Sequence, residues 1–164
     1  MNFLSEPLSD NHIRDDFSCG KSVLDRYLKI QAGQDTRKQL TACFVIADSE
    51  DAVFGYYTLS SSSIQTESLP PSMRKKIPQG NKTVPVILLG RLAVDLRYRG
   101  QHLGEDLLLD SMKRSLAASE VVGSIAMVVD PLDEEAKSFY LKYGFTQLDN
   151  GKMFISMKDI SAVL

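Results

Sequence analysis

The sequence is poor in the groups from which disulfides and metal centres are built. Among 164 residues there are two cysteines, Cys19 and Cys43, and two histidines. The cysteines are far apart, form no CxxC pair and have no paired histidines beside them. We therefore predict reduced thiols and no metal, as expected of a cytoplasmic protein.

Long hydrophobic runs are also absent. No apolar stretch approaches the roughly 20 residues that span a bilayer. The N-terminal stretch MNFLSEPLSDNHIRDD lacks the basic start and apolar core of a signal peptide, and we expect its His12 to lie at the surface. With 43% hydrophobic and 24% charged residues, the composition predicts one globular domain over residues 1–164 without a membrane partner.

The formal charge of −2 hides an uneven distribution. Residues 68–104 hold seven basic side chains against one acid, Asp95, whereas each flanking region holds six basic and ten acidic side chains. The seven basic residues are Arg74, Lys75, Lys76, Lys82, Arg91, Arg97 and Arg99. They indicate either charges scattered over the surface or a local patch for phosphates or a nucleic acid, and the count alone leaves both open.

Hydrophobic periodicity predicts alternating helices and strands. The interval 68–83, rich in proline and basic residues, predicts an exposed excursion with a helical turn over its MRKK run. Helices are predicted over residues 22–32, from residue 103 onward and over 131–145, and strands over 41–48, 53–64, 84–94, 122–130 and two final segments joined by an Asn150–Gly151 turn. The result is a mixed α/β sheet with helices packed on it.

Three finer expectations accompany these elements. Ser18 or Ser22 is expected to cap the first helix. The strand 84–94 is apolar nearly throughout, which predicts burial on both faces. In the helix from residue 103, Leu107, Leu108 and Met112 form an apolar stripe and Asp110 falls on the polar side.

The stretch RYRGQHLG separates a predicted strand from a predicted helix. The first amides of a helix lack partners and carry partial positive charge, so they bind phosphate well. Gly100 and Gly104 let the backbone bend, and Arg99 adds a guanidinium that can pair with phosphate. The spacing matches neither GxxxxGK[ST] nor GxGxxG, so a plain solvated turn remains an alternative.

The segment LAVDLRYRGQHLGEDLL resembles motif A of the GNAT acetyltransferases, an Arg or Gln followed by xxGxG/A. Arg99 takes the first place and Gly104 the last, while His102 stands where the family has its middle glycine. Downstream, FYLKYGF resembles the end of a later family helix, and Asp133 stands where an Asn is common. A loop that binds through N–H groups tolerates His102 provided that its backbone needs no positive φ.

The resemblance implies the GNAT fold, a mixed, mostly antiparallel sheet with splayed parallel strands 84–94 and 122–129 and helices on both faces. It also implies acetyl-CoA as the co-substrate. The pyrophosphate would lie on backbone N–H groups of the loop, with the pantetheine arm along Leu92–Val94 and an oxyanion donor there. The implied cofactor-binding residues are Leu92, Ala93, Val94, Arg99, Gly100, Gln101, His102, Leu103, Gly104, Glu105 and Ser138.

Tyr140 is the implied catalytic residue. A phenol of pKa about 10 can protonate a departing thiolate of pKa about 8.5 with help from a hydrogen bond in the transition state. The alternative is a core aromatic on an amphipathic helix. No sequence feature identifies a general base.

The N-terminal pattern FSCGKSVLDRYL resembles the opening of the GNAT toxins of bacterial toxin–antitoxin modules, as does GRLAV at Gly90–Val94. That implies a toxin that acetylates the α-amine of aminoacyl-tRNA and blocks translation, with a cognate antitoxin and a homodimer as expected partners. The candidate tRNA-binding residues are Arg74, Lys75, Lys76, Lys82 and Arg91. The alternatives are an N-acetyltransferase for small molecules or proteins, and a non-catalytic module that binds acyl-CoA or a partner.

Overall fold

The structure is a computed structural model that describes residues 2–164. Its strands are β1 (Glu6–Pro7), β2 (Ala42–Ala47), β3 (Val53–Gln65), β4 (Thr83–Val94), β5 (Ala126–Val129), β6 (Thr146–Gln147) and β7 (Met153–Ser156). Its α-helices are α1 (Ser22–Arg26), α2 (Ala32–Arg37), α3 (Pro71–Arg74), α4 (Leu103–Val121), α5 (Glu134–Lys142) and α6 (Met157–Val163). A π-helix at Tyr27–Gln31 joins α1 to α2, and 3₁₀ turns lie at Thr66–Ser68 and Leu96–Tyr98.

All seven strands form one sheet in the order β1-β2-β3-β4-β5-β7-β6. It is mostly antiparallel, with β4 and β5 parallel and paired from Val86 opposite Ala126 to Leu89 opposite Val129. Beyond Leu89, β4 continues to Val94 while β5 has ended. The predicted mixed, mostly antiparallel sheet with a parallel central pair is therefore confirmed.

The chain divides into two compact units. The first unit contains the residues up to Ser60 together with Gly90–Arg114, and the second contains Ser61–Leu89 with Ser115–Leu164. Each unit has its own cluster of buried hydrophobic residues. The expectation of a single domain over residues 1–164 stays a prediction.

In the first unit, consecutive residues of β3 face opposite sides of the sheet, as pleated backbone requires. Tyr56 packs edge-on against Phe17 and parallel to Tyr27, on the side of α1 and the π-helix. On the other side, a Cβ added at Gly55 would lie 2.8 Å from the Ile46 side chain and 3.0 Å from Leu107 of α4, so α4 packs closely on this face. The prediction of helices on both faces thus holds within this unit.

The prediction that Asp110 lies on the polar side of its helix is wrong. The residue is 4% exposed, and its carboxylate accepts hydrogen bonds from the Leu4 N–H at 2.7 Å, the Tyr57 hydroxyl at 2.8 Å and the Ser5 hydroxyl. The Arg114 guanidinium lies 3.8 Å away. A buried carboxylate needs such partners. They come from residues far away in sequence, so helical periodicity gives no sign of them.

His12 is also buried, contrary to the expectation that it lies at the surface. It is 8% exposed, its Nδ1 accepts from the Ser9 N–H at 2.9 Å, and its Nε2 lies 2.8 Å from the Glu6 carboxylate. Glu6 belongs to β1, a strand the sequence pattern did not predict, which pairs with β2. Two residues of strand are too short to produce a periodic signal.

The first helix differs from its prediction at both ends. Its N-cap is Lys21, without a capping hydrogen bond from the side chain, so neither Ser18 nor Ser22 caps it. Asp25 instead turns back and accepts a hydrogen bond from the Cys19 N–H at 2.8 Å. At the other end, the helical path continues through the π-helix and α2, beyond the predicted end at residue 32.

Strand β4 is not buried on both faces as predicted. Val84, Val86 and Leu89 are buried, whereas Pro85 and Gly90 are exposed. A strand with alternating exposure tolerates Pro85 near its beginning, where a missing N–H costs least.

Smaller corrections concern the second unit. The helical turn of the excursion covers Pro71–Arg74 rather than the MRKK run. Residues 122–125 precede β5 instead of belonging to it. The terminal helix α6, capped by the Ser156 hydroxyl, was not predicted.

Candidate active site

The loop that begins after β4 is held by a buried carboxylate, Asp95. It is 1% exposed and accepts hydrogen bonds from the N–H groups of Ser18 at 3.1 Å and Arg97 at 2.9 Å, and from the Arg97 guanidinium at 2.9 and 3.0 Å. Burial opposes its ionisation, but the hydrogen bonds from Arg97 outweigh it and hold the pKa of Asp95 below its ordinary value. Asp95 therefore fixes the start of the loop.

Two residues of the 99–104 loop have left-handed backbone. Gly100 has a φ of +84° and His102 a φ of +60°. The proviso that residue 102 needs no positive φ is therefore wrong: His102 adopts the conformation for which glycine is best suited. Histidine is among the residues that tolerate it better than most. Its side chain is 83% exposed and lies 3.7 Å from Glu105, so it extends into solvent.

Unpaired amides lie within this turn and at the beginning of helix α4. The N–H groups of residues 100–105 donate no hydrogen bond within the described part of the chain, whereas the Arg99 N–H donates to the Leu96 carbonyl at 3.2 Å. The first bond of helix α4 runs from the Asp106 N–H to the His102 carbonyl at 3.0 Å. A helix N-terminus with free amides and a flexible glycine fits a pyrophosphate group.

Beside the loop, β4 provides backbone without a β5 partner. Leu92–Val94 lie beyond Leu89, the last residue of β4 that pairs with β5, so main-chain groups on that edge are open to an extended ligand. Just before them, a Cβ on Gly90 would lie 3.0 Å from the Thr58 hydroxyl oxygen. That hydroxyl is buried and has no hydrogen-bond partner among residues 2–164. A side chain at the glycine of GRLAV would therefore crowd the Thr58 hydroxyl.

Tyr140 lies in α5, in the second unit. It is 7% exposed and packs edge-on against Phe139 and Phe145, with ring centroids 5.3 and 5.2 Å away. No hydrogen bond of its hydroxyl is found within the described residues. Burial raises the pKa of Tyr140, so the phenol keeps its proton. The arrangement fits both a core aromatic and a proton donor that awaits its acceptor.

Helix α5 begins at a side-chain cap. The Asp133 carboxylate accepts a hydrogen bond from the Ala136 N–H at 2.9 Å, the bond that an Asn would also make at this position. The departure from the family pattern at residue 133 therefore preserves the start of the helix that carries Tyr140. Ser138, a predicted cofactor contact, is exposed on the same helix.

The candidate tRNA-binding residues divide between the two units. Four of them, Arg74, Lys75, Lys76 and Lys82, are exposed in the second unit. Arg91 lies in the first unit, where its guanidinium stacks over the Tyr27 ring at 3.5 Å from the centroid. Stacking of this kind orients a guanidinium without neutralising it.

The two cysteines and the metal-ligating residue types show no sign of a disulfide or a metal centre among residues 2–164. Both cysteines are free and buried, and burial raises the pKa of Cys19 to about 11 and that of Cys43 to about 12. No metal-binding group of His, Cys, Asp or Glu occurs among residues 2–164. Within the same range, every helix is too short or too polar for a membrane span.

A mixed sheet with a central parallel pair, followed by a helix whose first N–H groups are free, fits an acyl-CoA-dependent acyltransferase. Residues 40–147 match the acetyltransferase (GNAT) domain family, and the chain belongs to that family. The predicted family, fold and enzyme class are therefore confirmed.

Two similar proteins are described as a toxin and a probable toxin. The chain is 35% identical over 150 residues to the "tRNA-acetylating toxin" of Mycobacterium tuberculosis (strain ATCC 25618 / H37Rv), covering 90% of this chain and 88% of the relative. It is 29% identical over 170 residues to the "Probable toxin TacT" of Sinorhizobium fredii (strain NBRC 101917 / NGR234), covering 97% and 93%.

Solved structures of similar toxins have the same fold. A tyrosine-to-phenylalanine mutant of KacT matches with a TM-score of 0.91, 32% identity and 100% coverage of both chains. AtaT complexed with acetyl-methionyl-tRNAfMet matches with a TM-score of 0.90, 30% identity and 99% coverage of both. AtaTR bound with acetyl-CoA matches with a TM-score of 0.86, 30% identity and coverage of 97% and 96%.

Proposed function

We propose that the protein is an acetyl-CoA-dependent N-acetyltransferase that acetylates the α-amine of aminoacyl-tRNA and thereby blocks translation. The observation that carries this proposal is similarity along nearly the whole chain to a tRNA-acetylating toxin and to AtaT in complex with acetyl-methionyl-tRNAfMet. The two compact units would act together as one catalytic domain over residues 1–164.

The 99–104 loop and the beginning of α4 bind the pyrophosphate of acetyl-CoA. The free N–H groups of residues 100–105 supply the hydrogen bonds, and the Arg99 guanidinium pairs with a phosphate oxygen. The exposed side chains of Gln101 and His102 leave the amides unobstructed. Because the Arg99 N–H already donates to the Leu96 carbonyl, Arg99 would contribute through its side chain.

The main chain of Leu92–Val94 orients the pantetheine arm, and one of its N–H groups stabilises the oxyanion. Bound acetyl-CoA supplies an activated acetyl group. The acceptor amine attacks the carbonyl and forms the new C–N bond, and the C–S bond then breaks as the oxyanion collapses. The Tyr140 hydroxyl donates its proton to the departing sulfur, and the proton that the amine loses returns to the Tyr140 oxygen through solvent. The similar protein KacT has been solved as a tyrosine-to-phenylalanine mutant. The same type of substitution at Tyr140 would remove the proposed proton donor.

The acceptor explains the lack of an assigned general base. The α-amine of an aminoacyl ester has a lowered pKa, so much of it is neutral near pH 7 and can attack without a positioned base. Transfer then depends on holding the amine and the carbonyl in line. The remaining requirement is a surface that binds the tRNA.

The α3 basic cluster, Arg74, Lys75 and Lys76, supplies part of that surface. All three side chains are exposed, and the neighbouring residues 77–83 contain no acid. Lys82 and Arg91 are further contacts. Such contacts with the phosphate backbone give affinity that weakens with salt.

Three further assignments follow from a toxin function. A cognate antitoxin partner fits the structure of a mutant AtaT toxin bound to the C-terminus of the antitoxin AtaR. Aminoacyl-tRNA as the acceptor places the protein in the cytoplasm. We also propose a homodimer, which sedimentation of the purified protein tests.

The decisive experiment supplies the purified protein with acetyl-CoA and a pool of charged tRNAs, followed by mass spectrometry of the aminoacyl ends. We expect N-acetylated aminoacyl groups on one or more tRNA species. Faster acetylation of polyamines or protein amines would favour the small-molecule or protein acetyltransferase. Acyl-CoA binding without transfer to any amine would favour the non-catalytic module.

A further inference from the structure

The first unit contains a small cavity, and none of the residues that line it belongs to the proposed catalytic or cofactor-binding set. It has a volume of about 50 Å³ and lies where the N-terminal segment meets helix α2. Its lining residues are Leu8, Ser9, Asp10, Arg14, Gly33, Thr36 and Arg37. The volume exceeds what one water molecule needs, so a single tetrahedral group is of suitable size.

Two guanidiniums converge on one backbone position in this cavity. A Cβ added at Gly33 would lie 3.3 Å from Arg37 Nη1 and 3.6 and 3.7 Å from Arg14 Nη1 and Nη2. Glycine inside a helix is less favourable than alanine by about 1 kcal/mol. Gly33 therefore lowers the stability of helix α2 at the position where two positively charged guanidiniums approach the backbone.

Neither guanidinium is neutralised. Arg14 donates one hydrogen bond, to the Leu28 carbonyl at 2.9 Å, and no carboxylate lies within ion-pair distance of Arg14 or Arg37 among the described residues. The Leu28 bond fixes Arg14 and leaves its remaining donors available. Arg14 is fixed and Arg37 is exposed and without an ion pair, so both guanidiniums keep N–H donors that can bind phosphate oxygens at the cavity.

The charge of the lining selects the kind of phosphate. Asp10 is the one carboxylate in the lining, so two arginines and one aspartate leave a single positive charge. A phosphodiester carries one negative charge, whereas a phosphomonoester carries about 1.5 to 2 near pH 7. The lining therefore matches a backbone phosphate of a nucleic acid better than a terminal phosphate.

We propose that Arg14, Arg37 and Gly33 form a binding site for one backbone phosphate of the tRNA. The inference rests on the proposed function for the identity of the nucleic acid. It adds a contact in the first unit to the α3 basic cluster of the second. Loss of a single phosphate contact should weaken the affinity moderately and lower the salt dependence of tRNA binding by about one ion.

The test compares Arg37→Gln and Arg14→Gln with Lys38→Gln, which removes a neighbouring exposed charge that does not line the cavity. We expect each arginine variant to bind tRNA about 3- to 10-fold more weakly, with the slope of log K against log salt lower by roughly 0.7 to 0.9. Lys38→Gln should change both less. Equal effects of Arg37→Gln and Lys38→Gln would overturn the proposal.

Gly33→Ala separates binding from folding. The added Cβ meets both guanidiniums, so tRNA affinity should fall, while alanine should leave the helix as stable or more stable. Weaker tRNA binding with undiminished thermal stability supports the site. Unchanged tRNA affinity in this variant contradicts it.

Dimethyl phosphate tests the site without relying on the function. Titrated into the wild-type protein, it should shift the NMR signal of the Gly33 amide, and Arg37→Gln should lose that shift. If the protein acetylates no aminoacyl-tRNA but shows this shift, the proposed function fails and the phosphodiester site stands. If acetylation occurs and neither tRNA affinity nor the shift depends on Arg37, the site fails alone. Altered antitoxin binding with unchanged tRNA binding would assign the cavity to a protein partner instead.

Discussion

The 99–104 loop and Tyr140 differ in how they would carry out their proposed roles, which are cofactor binding and proton donation. The loop presents main-chain N–H groups, and its side chains at Gln101 and His102 are exposed. Tyr140 presents one hydroxyl group from a buried side chain packed among aromatic rings. A function carried by the main chain tolerates changes of side chain, as His102 illustrates, whereas one carried by a single hydroxyl tolerates none.

The largest effect is expected from Tyr140→Phe. The variant should bind acetyl-CoA as the wild type does but transfer acetyl groups about 10²- to 10⁴-fold more slowly, because the departing thiolate loses its proton donor. The hydroxyl makes no hydrogen bond within the described residues, so its removal should not destabilise the fold. Single-turnover kinetics, calorimetric titration with acetyl-CoA and thermal unfolding measure the three quantities.

Tyr143→Phe is the matched control for this change. Tyr143 packs against the same Phe139 ring, with centroids 5.0 Å apart, but is half-buried. It should retain full activity. Wild-type turnover by Tyr140→Phe would show that Tyr140 is only a packing residue.

The next effect concerns the acceptor. Reversal of the three charges of the α3 basic cluster, Arg74, Lys75 and Lys76, should weaken tRNA binding by about tenfold or more, equivalent to roughly 1.4 kcal/mol. Acetylation of methionine amide and the Kd for acetyl-CoA should be unchanged. Filter binding and parallel kinetics on the two acceptors provide the comparison.

A control triple changes net charge equally within the same unit: Lys137→Glu, Lys142→Glu and Lys158→Glu. If it weakens tRNA binding as much as reversal of the α3 basic cluster, the effect is one of overall charge. Equal loss of activity on methionine amide would mean that the cluster does not act through tRNA.

Much of the fold could be predicted because long apolar patterns determine it. Strands β2, β3 and β4 and helices α4 and α5 were predicted within a few residues. Strand β1, two residues long, and helix α6 were missed, since short or terminal elements give little periodic signal. The burial of Asp110 was missed because its partners, Leu4, Ser5 and Tyr57, are distant in sequence.

The candidate site could be predicted less completely. Motif spacing identified the loop, and the unpaired amides agree with that prediction. It did not reveal the left-handed backbone of His102 or the support from Asp95, since φ angles and long-range hydrogen bonds depend on tertiary structure. In the sequence, Gly33 is only a helix-destabilising residue within a helical pattern. The structure adds that the Arg14 and Arg37 guanidiniums lie close to it.

A smaller effect is expected within the loop itself. Gly100→Ala places a Cβ at φ +84°, where nothing lies within 4 Å, so strain alone should cost about 1 to 2 kcal/mol of unfolding free energy. The Kd for acetyl-CoA should rise several-fold as the turn shifts. His102→Gly removes strain at φ +60° and should leave that Kd within about twofold.

Calorimetry and chemical denaturation compare these two variants directly. If His102→Gly weakens acetyl-CoA binding more than Gly100→Ala does, the imidazole contacts the phosphate and the loop does not act through its main chain alone.

The smallest effect concerns pH. Tyr140 is active as the phenol, so its contribution is lost only as pH rises through its pKa. Burial raises that pKa above the ordinary value of about 10, so the rate of acetyl transfer should show no falling limb between pH 8 and about 10. The same shift stabilises the fold fully below pH about 10, and this stabilisation is lost only at higher pH. Single-turnover rates on methionine amide, which resists alkaline hydrolysis, together with thermal unfolding at each pH, measure both. A falling limb centred below pH 9 in the wild type and absent in Tyr140→Phe would mean that burial does not raise the pKa of Tyr140, which would contradict this prediction.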